Sequence, residues 1–384
     1  MKFSFSTPTT IYFGRKEAGR LGEVASGMGC NALLVSGSDT SRFNDIQVAL
    51  GQNNICCTCF SQKGEPTVDQ AEQGAKIAQS RGVDLVIAVG GGSVVDVGKA
   101  IAALATNPLP AMDYLEVIGK GKPLAAHPLP FVALPTTAGT GAEVTFNSVL
   151  AAPEHGVKVS LRSPFMAPDV AIVDPELSMG VSPVVTASSG MDALTQLMEA
   201  FISRFSNPLT DALCREGIKR VAASLKAAHD RGDDLAARED MSLAALFSGV
   251  ALANAKLGVV HGIAGPMGGM IPAPHGVICA RLLGPCMAVN LTESSRDEAH
   301  GHVVKKLGEI ASILTGNPGA APWDAVQWID NMVRYLPLPP LSRYGLNKVK
   351  CQQLSCQALK SSSMKGNPVP LTEKQLFDIL MPHC

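Results

Sequence analysis

From residue 10 to about residue 175 the chain repeats one pattern: a short apolar run, a turn, and a longer stretch with apolar residues at helical spacing. The runs are TIYFG (10–14), NALLVS (31–36), DLVIAV (84–89), PFVALP (130–135) and VAIVDP (170–175). Helical stretches between them fall at 42–51, 67–81 and 93–105. Such β/α alternation buries its apolar faces as a largely parallel sheet covered by helices. After about residue 180 the texture changes. MDALTQLMEAFISRF, DALCREGIKRVAASLKAAH and AREDMSLAALFSGVALANA carry apolar residues at helical spacing, and further helices are expected near 303–315, 322–335, 347–360 and 372–381. No strand is expected there. The sequence therefore predicts an α/β domain over 1–180 and an all-helical domain over 181–384, with the boundary in MGVSPVV, 179–185.

Composition excludes several classes of function. With 46% hydrophobic and 17% charged residues, the 384-residue chain has ample material for two buried cores. A net charge of −1 gives no electrostatic footprint for nucleic acid or an anionic membrane, so neither is expected as a partner. The N-terminal MKFSFSTPTTIYFG lacks the apolar core of a signal peptide, and the ten cysteines are scattered. A reduced, cytoplasmic setting is the expectation. Cys56, Cys57 and Cys59 in NICCTCF sit on a short strand, where alternate side chains face opposite ways. They are expected to be buried and structural, not a thiolate cluster.

Two turns carry chemistry. DLVIAVGGGSVVDVGKAIAALA, 84–105, reads as strand, glycine turn, helix: glycines admit an anion close to the backbone, and the helix start adds positive potential. It is not a Walker A loop, because five residues separate Gly92 from Gly98 and Ala100 follows Lys99. It also departs from the G-x-G-x-x-G fingerprint, with Val95 at the last glycine position. A second glycine-rich loop, LPTTAGTGAEVT at 134–145, follows another strand. Loops at the C-terminal ends of parallel strands share one edge of the sheet, and together these suggest a nucleotide.

The stretch GVVHGIAGPMGGMIPAPHG, 258–276, places His261 and His275 among apolar residues, Gly and Pro, with no charged residue between. SSGMDALTQLMEA, 188–200, reads as a helix start, with Ser188 or Ser189 near the cap and Asp192 and Gln196 on one face. A carboxylate and two imidazoles would suit Zn²⁺ or Fe²⁺. Spacing alone does not join Asp192 to His261.

GGGSVVDVGKA, LPTTAGTGAEVT, AIVDPEL, GMDALT, GVVHGIAGP and PHGV occur in the order and spacing found in the iron-containing (group III) alcohol dehydrogenases, and the chain resembles that family over essentially its whole length. The resemblance implies the dehydroquinate synthase-like fold: an α/β dinucleotide-binding domain, an all-α metal domain, and an active site in the cleft between. It implies that Gly91, Gly92, Ser93 and Asp96 line the cofactor diphosphate and its surroundings, and that Thr136, Thr137, Thr145, Lys158 and Leu177 line the adenosine and nicotinamide parts. It makes Asp192, His261 and His275 catalytic metal ligands.

Two departures concern the pocket. The family's fourth ligand is usually a histidine where this chain has Gln196, a harder neutral donor that binds late first-row metals less tightly. Many members also have a histidine where this chain has Gly265. The function implied is hydride transfer between NAD or NADP and a metal-polarised small alcohol or carbonyl, in a homodimer. Gly37 stands where NAD-preferring relatives place an aspartate; its absence, with Ser38, Ser41 or Arg42 at hand for a 2′-phosphate, leans the expectation to NADP. Two alternatives stay open: a dehydrogenase of a polyhydroxy or sugar-acid alcohol such as a 3-deoxy-octulosonate, and a nucleotide-binding homologue with a degraded site.

Overall fold

The computed structural model describes residues 2–37 and 44–384, so Ser38, Ser41 and Arg42 lie outside the described residues. The chain divides into two compact units. One comprises Thr7–Thr137 and Gly141–Gly180; the other comprises Val181–Cys384 with Ala138–Thr140 and the N-terminal stretch up to Ser6.

The first unit is built on a six-stranded sheet of β1 (Thr10–Phe13), β2 (Asn31–Ser36), β3 (Cys56–Ser61), β4 (Leu85–Gly90), β5 (Phe131–Pro135) and β8 (Val170–Val173). The spatial order is β1-β8-β5-β4-β2-β3, with every neighbouring pair parallel. Its helices are α1 (Leu21–Ser26), α2 (Asn44–Gln52), α3 (Val68–Ser80), α4 (Gly92–Thr106) and the single turn α5 (Ala111–Tyr114). Period-two alternation sorts the strand residues between two cores. Leu33, Val35, Val86, Ala88, Phe131 and Ala133 pack with Val68, Ala71, Ala75, Val97 and Ile101. Ala32, Leu34, Leu85, Ile87, Val132 and Leu134 face the other way, onto Leu21, Ala25, Ile46 and Leu50. Burial on both faces is why these strands are nearly continuous apolar runs.

Strand order reverses between β2 and β4: the chain leaves β2 towards β3, and leaves β4 towards β5 and then β8. The ends of β2, at Gly37, and of β4, at Gly91, therefore flank the topological switch point where open α/β sheets take ligands.

Two expectations fail in this unit. Cys56 and Cys59 are exposed and Cys57 is only partly buried, because β3 is an edge strand with one flank unpaired. An antiparallel hairpin, β6 (Asn147–Ala152) with β7 (Val157–Arg162), was also not anticipated.

The second unit is helical throughout its described length after residue 181: α6 (Pro183–Ile202), α7 (Pro208–Asp230), α8 (Leu235–Ala255), α9 (Val259–Met270), α10 (His275–Ser294), α11 (Gly301–Thr315), α12 (Pro322–Tyr335), α13 (Lys348–Ala358) and α14 (Glu373–Leu380). Its centre is α6, where Met191, Leu194, Leu197, Met198 and Phe201 are fully buried. The helix begins earlier than expected. Ser182, not Ser188 or Ser189, is the cap, accepting from Val185 N–H, and Pro183 occupies the first helical position. Ser188 and Ser189 instead donate back to the Val185 carbonyl from inside the helix. No single helix among the described residues is long and apolar enough to cross a membrane.

Candidate metal centre and cofactor loops

In the α/β unit, α4 starts directly after the three glycines, with Gly91 as a cap that offers no side chain. The first amides of α4 are left pointing out of the helix start, a ready anion cradle. Thr136 N–H donates to the Gly90 carbonyl (3.0 Å), and a Cβ on Gly91 would stand 3.2 Å from Thr137 Oγ1. The GGGS turn and the Thr136–Thr137 turn thus lie side by side. The tight approach of helix to sheet that the fingerprint's last glycine provides is present, but one turn later. A Cβ on Gly98 would meet the Phe131 ring at 2.8 Å and Ala88 at 3.0 Å.

The other residues expected around a cofactor have structural partners as well. Lys99 is buried; its Nζ donates to the Ala142 carbonyl (2.9 Å), Thr145 Oγ1 (2.9 Å) and the Asn147 carbonyl, and pairs with Asp96 (3.2 Å). Burial pushes the Lys99 ammonium below its ordinary value, against the pull of Asp96 and Glu143. Asp96 also accepts from Val149 N–H (3.1 Å), so it ties α4 to β6. Lys158 on β7 pairs with Glu65 at 2.7 Å. Leu177 packs against the core on the α1–α2 side of the sheet.

In the helical unit three elements bring four donors together. Asp192 sits in the middle of α6, His261 on the first turn of α9, and His275 and Cys279 one turn apart at the start of α10. Asp192 Oδ1 lies 3.5 Å from His261 Nε2 and 3.6 Å from His275 Nε2. Cys279 Sγ lies 3.8 Å and 3.6 Å from the same two nitrogens. All four ligand atoms fall within 4.8 Å of one another. Close approach of α10 to α6 depends on Gly276, whose Cβ would stand 2.2 Å from the Ser188 carbonyl oxygen.

The sequence did not single out Cys279 or Glu199. Glu199 follows Asp192 by seven residues on the same face of α6, and is 1% exposed. Its carboxylate accepts from Val260 N–H (2.6 Å), from His261 N–H (3.4 Å) and from His261 Nδ1 (2.7 Å). Gly258 offers no side-chain cap to α9, so Asn367 Oδ1 accepts from the first amide, Val259 N–H (3.1 Å), and Glu199 accepts from the next two. The Nδ1···Glu199 bond fixes the orientation of the ring and leaves Nε2 as the nitrogen that faces Asp192.

Charge in the cluster is coupled. Burial pushes the Asp192 carboxyl up, but His275 and His261 more than reverse this and hold it below the usual carboxylate range. Burial works against the His261 cation too, yet its anionic surroundings raise it well above an ordinary imidazole. Burial pushes the Cys279 thiol up to about 12. Asp192 Oδ1 remains buried with no hydrogen-bond partner. A buried carboxylate oxygen without a hydrogen bond, set against two imidazole nitrogens and a thiol, completes a donor set that a divalent cation would join. The residues fit a metal. Gln196, one turn after Asp192, lies with its amide oxygen 3.2 Å from Ser248 Oγ.

Known proteins agree. The family profile for iron-containing alcohol dehydrogenase matches residues 8–175, and that for the Fe-containing alcohol dehydrogenase family, C-terminal, matches residues 186–383. The choline dehydrogenase of Bacillus subtilis (strain 168) is 32% identical over 376 residues, covering 97% of this chain and 92% of that protein. The crystal structure of a 1,3-propanediol oxidoreductase superposes with a TM-score of 0.88 at 31% identity, over 99% of both chains. The sulfoacetaldehyde reductase of Bifidobacterium kashiwanohense, solved in complex with NAD+, gives 0.87 at 28% identity, over 99% of this chain and 98% of its own. With both halves of the chain matched in order, this chain belongs to the iron-containing alcohol dehydrogenase family.

Proposed function

We propose that the protein is a metal-dependent, NAD(P)-linked alcohol dehydrogenase and aldehyde reductase, with Asp192, His261 and His275 holding the metal. The observation that carries this is the buried Asp192 Oδ1, which makes no hydrogen bond and faces the Nε2 atoms of His261 and His275. When bound, a divalent metal supplies Lewis acidity towards an alcohol or carbonyl oxygen, and the nicotinamide supplies or accepts the hydride. Glu199 holds His261 in the tautomer and orientation that ligation needs. The amides at Gly92 and Ser93, with Gly91, Thr136 and Thr137 beside them, receive the cofactor diphosphate. Lys99, through Asp96 and Thr145, keeps the loops around that cradle in register and need not touch the cofactor. Lys158 and Leu177 remain the proposed contacts for the rest of the cofactor.

A Cβ on Gly265 would meet nothing within 4 Å, so the space that many family members fill with histidine is open. The proton then leaves through solvent or the cofactor ribose. The same open space supports the second reading, a polyhydroxy or sugar-acid substrate larger than a short aliphatic alcohol. NADP as the preferred cofactor rests on the missing carboxylate at Gly37, and a large kinetic preference for NADH would overturn it. A cytoplasmic homodimer is part of the same proposal, and the sedimentation mass in solution tests the dimer.

The deciding experiment is metal content and turnover of wild type and His261→Ala, assayed by nicotinamide absorbance against simple alcohols, polyols and sugar acids. We expect both metal and turnover to be lost together. Full activity in a metal-free His261→Ala protein would refute the mechanism.

A further inference from the structure

We propose that Cys279, in place of Gln196, is the fourth protein ligand, and that the resulting Asp–His–His–Cys set makes the site selective for zinc. The inference rests on the reading of Asp192, His261 and His275 as a metal centre, and adds to it a ligand and a metal identity.

The geometry is that of a ligand set before contraction. With Zn–N of about 2.0–2.1 Å and Zn–S of about 2.3 Å, a tetrahedral site sets neighbouring donors about 3.3–3.6 Å apart. The measured edges are 3.5 and 3.6 Å from Asp192 Oδ1 to the imidazoles, and 3.8 and 3.6 Å from Cys279 Sγ. Shifts of a few tenths of an ångström close them. The placement of Cys279 is also firm. It is fully buried, and it follows His275 by four residues on α10, so both side chains project from one helix face. Its sulfur and the orphaned Asp192 Oδ1 lie against the same two nitrogens, and this oxygen is a second, independent sign that a cation belongs among them.

The chemistry then favours zinc. A thiolate is the softest donor a protein offers, and beside two imidazoles it suits Zn²⁺ better than a hard-ligand cation, with zinc also above Fe²⁺ in the usual order of affinities. Gln196 is a neutral amide, and its oxygen is already close to Ser248. The chain has thus exchanged a donor on α6 for one on α10 around the same point.

The test uses the full-length protein, stripped with chelator and reloaded with zinc or with cobalt(II) alone. X-ray absorption of the zinc form should show one sulfur at about 2.3 Å. The cobalt form should show a thiolate-to-cobalt charge-transfer band in the near ultraviolet, lost in Cys279→Ser and kept in Cys286→Ser, the next buried cysteine on the helix. Zinc affinity of Cys279→Ser should fall by more than the ~10–100-fold that loss of an outer-shell partner costs. Metal bound without sulfur overturns the role of Cys279 and leaves the three-ligand centre standing. A protein that takes up neither metal overturns the metal centre itself. If Cys279→Ser does not fold, the wild-type absorption spectrum decides alone.

Discussion

Replacing Lys99 by methionine isolates what its buried ammonium does for the α/β unit. Methionine keeps the apolar stem and removes the charge, taking one donor from the Ala142 and Asn147 carbonyls and from Thr145 Oγ1, and the cation from Asp96. Breaking a buried pair from one side costs about 3–5 kcal/mol. Asp96 keeps the Val149 N–H and the Ala142 carbonyl keeps Thr145, which argues for the lower half of that range, and the three lost charge-assisted bonds argue back towards the middle. The expected loss is therefore about 4 kcal/mol. With a urea m-value of about 2.5 kcal/mol/M, the midpoint should fall by about 1.5 M. Far-ultraviolet circular dichroism follows both units, whereas the two tryptophans, Trp323 and Trp328, both lie in the helical unit. The dichroism transition should move and the tryptophan transition should move less. Adding Asp96→Asn to Lys99→Met should recover about 2 kcal/mol, because the stranded carboxylate is gone. A midpoint shift below about 0.4 M in the single variant would show that Lys99 is not what ties α4 to the hairpin.

Burial pushes the Glu143 carboxyl, 4% exposed, up to about 7, while in the unfolded chain it titrates near 4.5. Its contribution is fully present below 4.5 and is lost as pH rises through 7, about 3 kcal/mol in all. Glu143→Gln should therefore stabilise the protein at about pH 8 and change little at about pH 4, and urea midpoints that differ by the same amount at both would contradict this. Gly276→Ala drives a Cβ to 2.2 Å from the Ser188 carbonyl oxygen, and should cost about 1–3 kcal/mol and weaken zinc binding by displacing His275. Gly308→Ala in α11 meets only Pro322 at 3.7 Å, and should instead stabilise by up to about 1 kcal/mol in the same unfolding assay.

The doubly buried strands were the most legible part of the fold, because a strand covered on both faces is an uninterrupted apolar run. NALLVS was placed to the residue. The hairpin was harder: NSVLAA and VKVSLR alternate buried and half-buried positions, and the short PEHG connection carries no strong hairpin dipeptide. Edge and central strands share a composition, so the exposure of Cys56 and Cys59 could not be read from NICCTCF. At the candidate site, family resemblance supplied Asp192, His261 and His275, which come from three helices that no spacing rule connects. Two local signals do stand in the sequence: His275 and Cys279 are four apart, and Asp192 and Glu199 are seven apart.

Glu199 holds the second and third amides of α9 and the His261 ring with one carboxylate. The bonds that start the helix are therefore the bonds that aim the imidazole, and neither depends on an ion. A protein stripped of a metal held there is therefore expected to stay folded, unlike small zinc domains that unfold without their metal. Reloading is then binding to a standing pocket, and the thermal stability gained follows free zinc by simple mass action.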